Sequence, residues 1–198
     1  MNPDISSGRV RMVRVACVVL GVMLWMGTQW LIGQRDFPAA DVESVGKALT
    51  AADALHQATE SWNRQLHEHD GAARALLVIS SALIDVMAIS LFASAIFGRS
   101  LRPFLGLLFL FGSRQVCQFL CPLPPPEGII WSYPGVPSLL VTYGVSNDFF
   151  FSGHTAIATF AGLELGRRGG RRWWGLGVFL ISFQATVVLV LRAHYTLD

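Results

Sequence analysis

The chain has 198 residues, of which 53% are hydrophobic and only 14% charged, with a net charge of +2 and a mean hydropathy of +0.49. A soluble domain of this size carries about a quarter charged residues, so a water-soluble globule is excluded. The small, scattered positive charge gives no argument for nucleic acid, which needs a basic face.

The apolar residues fall in blocks near the ~20 residues that cross a bilayer. They predict an integral membrane protein, all-α, a polytopic transmembrane helical bundle with five spans in one membrane domain. Its expected parts are a cytoplasmic tail at residues 1–14, an outer amphipathic segment at 34–72 and a catalytic core at 73–198.

The tail carries Arg9, Arg11 and Arg14, and residues 15–33 are the first span. Basic residues before an apolar core resemble a signal peptide. However, the core is long and Gly27-Thr28-Gln29-Trp30 offers no small-x-small cleavage site, so a retained helix is expected. Residues 34–72 are polar and net acidic, with Arg35, Lys47 and Arg64 against Asp36, Asp41, Glu43, Asp53, Glu60, Glu68 and Asp70. Val45, Leu49, Ala52, Leu55, Trp62 and Leu66 recur at helical spacing, which predicts an amphipathic helix on the membrane surface. His67-Glu68-His69-Asp70 reads as a solvated helix end, because no second ligand cluster pairs with it.

The second span is expected over residues 73–97, with Asp85 near its middle. A carboxylate at that depth needs a partner, and a buried interhelical hydrogen bond is expected. After the basic turn Gly98–Pro103 the third span covers residues 104–120, and the prolines at 122 and 124–126 end it. Cys117 and Cys121, at i, i+4 in an apolar run, read as packing residues, and with Cys17 they form no metal pattern. Residues 127–148 form a loop whose Trp131, Tyr133 and Tyr143 suit the headgroup layer. The fourth span (149–165), the basic turn at 167–172 and the fifth span (173–191) make a hairpin. With the N-terminus inside, Arg9, Arg11, Arg14, Arg99, Arg102, Arg167, Arg168, Arg171 and Arg172 all lie inside, as the positive-inside rule requires. His154, His194, Asp198 and the proline loop then face outward. The short tails without a targeting segment point to a bacterial inner membrane.

Each end of the hairpin carries a histidine. Ser152-Gly153-His154 opens a helix, where unpaired N–H groups and the helix dipole favour an anion. Glycine lets a phosphate approach the backbone, and histidine can hand a proton to a leaving alkoxide near neutral pH. His194 and Asp198 stand at i, i+4, on one face if the last helix continues. A carboxylate holding one imidazole nitrogen leaves the other as a nucleophile. Arg114 and Arg192 offer planar forks for phosphate oxygens, and Arg192 alternatively snorkels at the membrane rim.

These residues carry a resemblance. Asp148-Phe149-Phe150-Phe151-Ser152-Gly153-His154, His194-Tyr195-Thr196-Leu197-Asp198, and Arg114 upstream of Pro122-Leu123-Pro124 together resemble the phosphatidic acid phosphatase type 2 superfamily. The closer likeness is to its sphingomyelin synthase-like branch, which includes phosphatidylcholine:diacylglycerol cholinephosphotransferase. The resemblance covers residues 63–198. It implies transfer of a phospho-headgroup from a membrane phospholipid donor to a lipid acceptor, ceramide or diacylglycerol, with no metal and no cofactor. His194 would become phosphohistidine, Asp198 would orient it, and His154 would serve as acid and then base. Arg114, Asp148, Ser152, Gly153 and Arg192 are the expected substrate-binding residues. Water as acceptor would instead make a lipid phosphatase. Val188, six residues before His194, stands where the wider superfamily has arginine, which supports the branch. The family also has a sixth helix after the position of Asp198. Its absence would imply a fragment or a non-catalytic homologue.

Overall fold

The computed structural model describes residues 3–34, 42–143 and 149–196. Eight helices follow in chain order: α1 (Pro3–Gly33), α2 (Val42–Ala52), α3 (Ala54–Ala58), α4 (Glu60–Glu68), α5 (Asp70–Phe97), α6 (Arg102–Leu120), α7 (Gly153–Gly169) and α8 (Arg171–Val190). The protein is an all-α polytopic helical bundle, with no strand among the described residues.

Among the described residues, four helices are long and apolar enough to cross a membrane: Gly8–Gly33, Asp70–Phe97, Arg102–Leu120 and Arg171–Val190. α7, the remaining span expected from sequence, has 17 residues and holds Glu164, Arg167 and Arg168 in its last two turns. Its mean hydropathy falls accordingly, yet it packs inside the bundle against α5, α6 and above all α8. α1 starts twelve residues earlier than the apolar block does, so Arg9, Arg11 and Arg14 belong to a helix rather than to an extended tail. Arg14 Nη1 reaches the carbonyls of Ala95 and Gly98 and ties α1 to the α5–α6 turn.

The bundle is apolar outside and selectively polar inside. Val19, Met23, Leu24, Val86, Ile89, Phe109 and Phe179 are exposed on the spanning helices, as lipid-facing side chains are. Within, Ser80 Oγ donates to Gln184 Oε1 at 2.6 Å, and Gln184 Nε2 donates to the Ser80 carbonyl at 3.0 Å, joining α5 to α8. The apolar core gathers Ile84, Met87, Ala88 and Leu91 of α5 with Leu107 and Phe111 of α6 and Ile157 and Ala158 of α7. α7 and α8 meet backbone to backbone. A Cβ on Gly177 would stand 2.6 Å from the Gly162 carbonyl oxygen, so only glycine permits this approach. At the basic end, buried Glu164 receives Arg102, Arg167 and Arg168 at 3.3, 2.8 and 3.2 Å.

Two expectations need correction. The amphipathic segment is three short helices, not one, because Asp53 caps a new helix through Leu55 N and His56 N. Part of the loop after α6, residues 138–141, packs into the bundle. Among the described residues, Asp85 bonds to this loop rather than to another helix. It accepts from Ser138 Oγ at 3.0 and 2.9 Å and from the amides of Leu139 and Leu140 at 2.9 and 3.2 Å. That carboxylate draws the loop into the bundle, where Leu140 joins the core. Irregular backbone at this depth is tolerated because protein groups satisfy it.

Candidate active site

His154 is the second residue of α7. Ser152 caps the helix, its Oγ accepting from Thr155 N at 3.2 Å, which fixes where the helix starts. Just before the cap, Phe151 is held at φ 73°, a left-handed conformation costly for an aromatic residue, by about 1–3 kcal/mol. Its carbonyl accepts from Arg114 Nε at 3.3 Å. Arg114, on α6, is buried and donates from Nη1 to Gln29 Oε1 of α1 at 2.6 Å. Gln115 Nε2 donates to the same oxygen at 3.1 Å. A Cβ on Gly153 would stand in ordinary contact with Arg114 Nε at 3.4 Å, so the guanidinium lies close beside the helix N-terminus.

His194 arrives from the other end of the hairpin. α8 ends at Val190, and Arg192 at φ 52° breaks the helix. His194 therefore stands in an irregular segment rather than on a continuation of α8. Asp198 and Asp148 lie outside the described residues. His154, His194, Arg114 and Gly153 line one enclosed cavity of about 40 Å³, closed by Trp25, Ile84, Phe111, Trp131, Leu140, Val141, Thr142 and Ile157. Trp131 meets the His154 ring edge-on at 5.1 Å, and its Nε1 donates to the Thr142 carbonyl at 3.0 Å. Among the described residues, His154 Nε2 has no hydrogen-bond partner although it is buried. A buried ring nitrogen held without a partner at the mouth of α7 is poised for an incoming group.

Two clefts adjoin this cavity and share walls with it. A wide cleft of about 760 Å³, lined by Asp70, Arg74, Trp131 and Tyr133 among others, opens at the end away from the arginine turns. An apolar cleft of about 190 Å³ between α1 and α6 shares Trp25 and Phe111 with the cavity.

Two other expected residues, Ser152 and Arg192, do not line the cavity. The Ser152 oxygen is engaged in capping. Arg192 is buried and donates to the Glu127 carbonyl at 2.7 Å, facing a separate hollow with Thr50, Asn63 and Gly128. It neither snorkels nor lines the histidine cavity. His67 and His69 turn to the carbonyls of Gly128 and Gln65. Gln29 and Trp131 belong to the site but were not singled out for it. An intermittent polar residue in an apolar helix is the signal that could have marked Gln29.

Residues 190–196 are gripped from outside the hairpin. Asn63 Nδ2 donates to the Val190 carbonyl at 2.9 Å, and Ile130 N donates to the Leu191 carbonyl at 2.8 Å. His56 Nε2 donates to the His194 carbonyl at 2.8 Å, and Tyr195 Oη donates to the Pro124 carbonyl at 3.0 Å. Burial pushes the Tyr195 phenol up to about 12, which keeps it a donor at neutral pH.

A family model, AtPDCT1/2, matches residues 52–198. No curated protein and no solved structure matches the chain at a significant level.

Proposed function

Since the chain belongs to the AtPDCT1/2 family of phosphatidylcholine:diacylglycerol cholinephosphotransferases, we propose that it transfers a phospho-headgroup, phosphocholine first among the candidates, between membrane lipids through a phosphohistidine. One observation carries the reading: both imidazoles and the Arg114 guanidinium face one cavity at the N-terminus of α7.

In the first step a ring nitrogen of His194 attacks phosphorus and the P–O bond to diacylglycerol breaks. His154 gives its proton to the departing alkoxide. In the second step His154 takes a proton from the acceptor hydroxyl. The acceptor oxygen forms the new P–O bond, the N–P bond breaks, and His194 is regenerated. Arg114, kept in place by Gln29 and the Phe151 carbonyl, neutralises the non-bridging oxygens. Asp198 is assigned the role of orienting His194. Asp148 and Gly153 complete the headgroup side.

The two clefts support a lipid substrate. The apolar one suits an acyl chain. The wide one carries Trp131 and Tyr133 with both Asp70 and Arg74, so aromatic faces and a carboxylate suit a quaternary ammonium while the guanidinium suits the phosphate beside it. The test uses the full chain in proteoliposomes with headgroup-labelled phosphatidylcholine and a diacylglycerol of distinct acyl chains. Label on the second lipid, lost in His194→Ala and in His154→Ala, is the expected result. Full activity in either variant would show the wrong site. Free phosphocholine as the sole product would identify water as acceptor.

A further inference from the structure

We propose that Asp53 and His56, flanking and forming the short helix α3, are positioning residues that hold residues 194–196 so that His194 presents its ring to the donor phosphorus. This rests on the reading of His194 as nucleophile.

His194 lacks the support of a regular element. It stands on no helix or strand, four residues past the end of α8 and beyond the left-handed Arg192. A side chain on such a segment has no regular structure to aim it. A misplacement of about 1 Å at a reacting group can lower a rate about 100-fold. The aim must therefore come from tertiary contacts, and Asp53 and His56 at α3 supply those at the His194 carbonyl and at Thr196.

One carboxylate performs two tasks. Asp53 Oδ1 accepts from Leu55 N at 3.1 Å and from His56 N at 3.0 Å, capping α3. The same group accepts from Thr196 N at 2.6 Å and from Thr196 Oγ1. Formation of the helix and docking of the segment thus share one anion. His56 adds the contact at the catalytic residue itself, Nε2 to the His194 carbonyl at 2.8 Å. A carbonyl only accepts, so Nε2 of His56 carries the proton. His56 is fully buried and packs against the Tyr195 ring at 5.7 Å. The clamp therefore grips the His194 carbonyl and the two residues that follow it, while His194 lines the cavity.

A clamp that only stabilised the fold would lower the amount of active protein. A clamp that aims His194 lowers the turnover of protein that remains folded. The experiment uses the full chain in proteoliposomes, with labelled phosphatidylcholine and diacylglycerol, and compares preparations matched for melting temperature and monodispersity. Thr196→Val, His56→Leu and Asp53→Ala are expected to lower kcat about 10- to 100-fold while KM for the donor changes less than about twofold. Thr196→Ser keeps the hydroxyl and His56→Gln keeps a donor near the Nε2 position, and both should recover most of that loss. Asp53→Ala combined with Thr196→Val should be little worse than Asp53→Ala alone, since the Thr196 hydroxyl has already lost its acceptor once the carboxylate is gone. Wild-type kcat in Asp53→Ala and His56→Leu, with His194→Ala inactive, would overturn the clamp and leave the nucleophile standing. Wild-type kcat in His194→Ala would instead overturn the nucleophile, and the clamp with it.

Discussion

Trp131 shows how much a single side chain can separate in this protein. It lines both the enclosed histidine cavity and the wide outward cleft, and its edge lies against the His154 ring. Removing it should cost about 0.5–1.5 kcal/mol of ring contact and, more tellingly, should join the two spaces. For Trp131→Ala we expect a larger share of headgroup released into water, read as the ratio of free phosphocholine to transferred label. An unchanged ratio would mean that the indole does not keep water from the intermediate. His56 gives a second prediction. Burial holds its imidazole below the ordinary value of 6.5, and Arg192 lowers it further, against the opposing pull of the His194 carbonyl and Asp53. Burial raises the Asp53 carboxyl, but the Thr196 hydroxyl and amide and the His56 amide and ring outweigh that and bring it below 3.8. Both groups thus bind fewer protons folded than unfolded. Stability from His56 is complete above its ordinary value and is lost as pH falls below it, whereas the Asp53 share goes only below the carboxylate's ordinary value. The melting temperature in detergent should therefore fall more steeply from pH 7.5 to about 5.5 in the wild type than in His56→Gln. Equal slopes would refute the assignment. His154, His194, Arg114 and Gly153, the candidates that residue chemistry and the family resemblance single out in the sequence, line one cavity. Asp53 and His56 were not legible there, since their partners lie 143 and 138 residues away and no spacing rule links them.

At the scale of elements, the α7–α8 hairpin is the part most tightly specified. Gly162 and Gly177 face each other with almost no space for another atom. The basic turn joining the helices is tied back by Glu164, and Arg168 reaches Ser94 Oγ of α5 at 2.7 Å. This hairpin carries His154 at one end and leads to His194 at the other, so its register sets how the two rings meet. Gly177→Val should force the helices apart and lower stability by about 1–3 kcal/mol, the usual cost of overpacking. The check is the melting temperature together with transfer activity, and a variant as stable and as active as the wild type would show that the close approach does not matter. The loop after α6 obeys a similar logic. Asp85→Ala removes an acceptor that takes four hydrogen bonds from residues 138–140, so the cavity wall at Leu140 and Val141 should loosen. The spanning helices were readable because their apolar runs are long. The re-entrant loop was not, because its depth is set by a carboxylate on another helix. The number of helices in residues 42–68 was likewise hidden in one Asp53 side chain that caps where a continuous helix was expected.

For the molecule as a whole, polar groups are sorted by end. Arg99, Arg102, Arg167, Arg168, Arg171 and Arg172 lie at the turns where α5 meets α6 and α7 meets α8, and Arg14 joins them by reaching Gly98. At the opposite end stand α2–α4, the proline-rich loop and the wide cleft beside the histidine cavity. Arginine-rich turns are retained on the cytoplasmic side during insertion, because carrying each guanidinium across the bilayer is unfavourable. From this sorting we propose that the cleft and the histidines open to the non-cytoplasmic face. In a background with Cys17, Cys117 and Cys121 replaced by serine, a single cysteine at Tyr133 should react with a membrane-impermeant maleimide on intact cells. A cysteine at Arg172 should react only after the membrane is permeabilised. The reverse pattern would place the cleft inside, and the donor and acceptor lipids would then have to be drawn from the cytoplasmic leaflet.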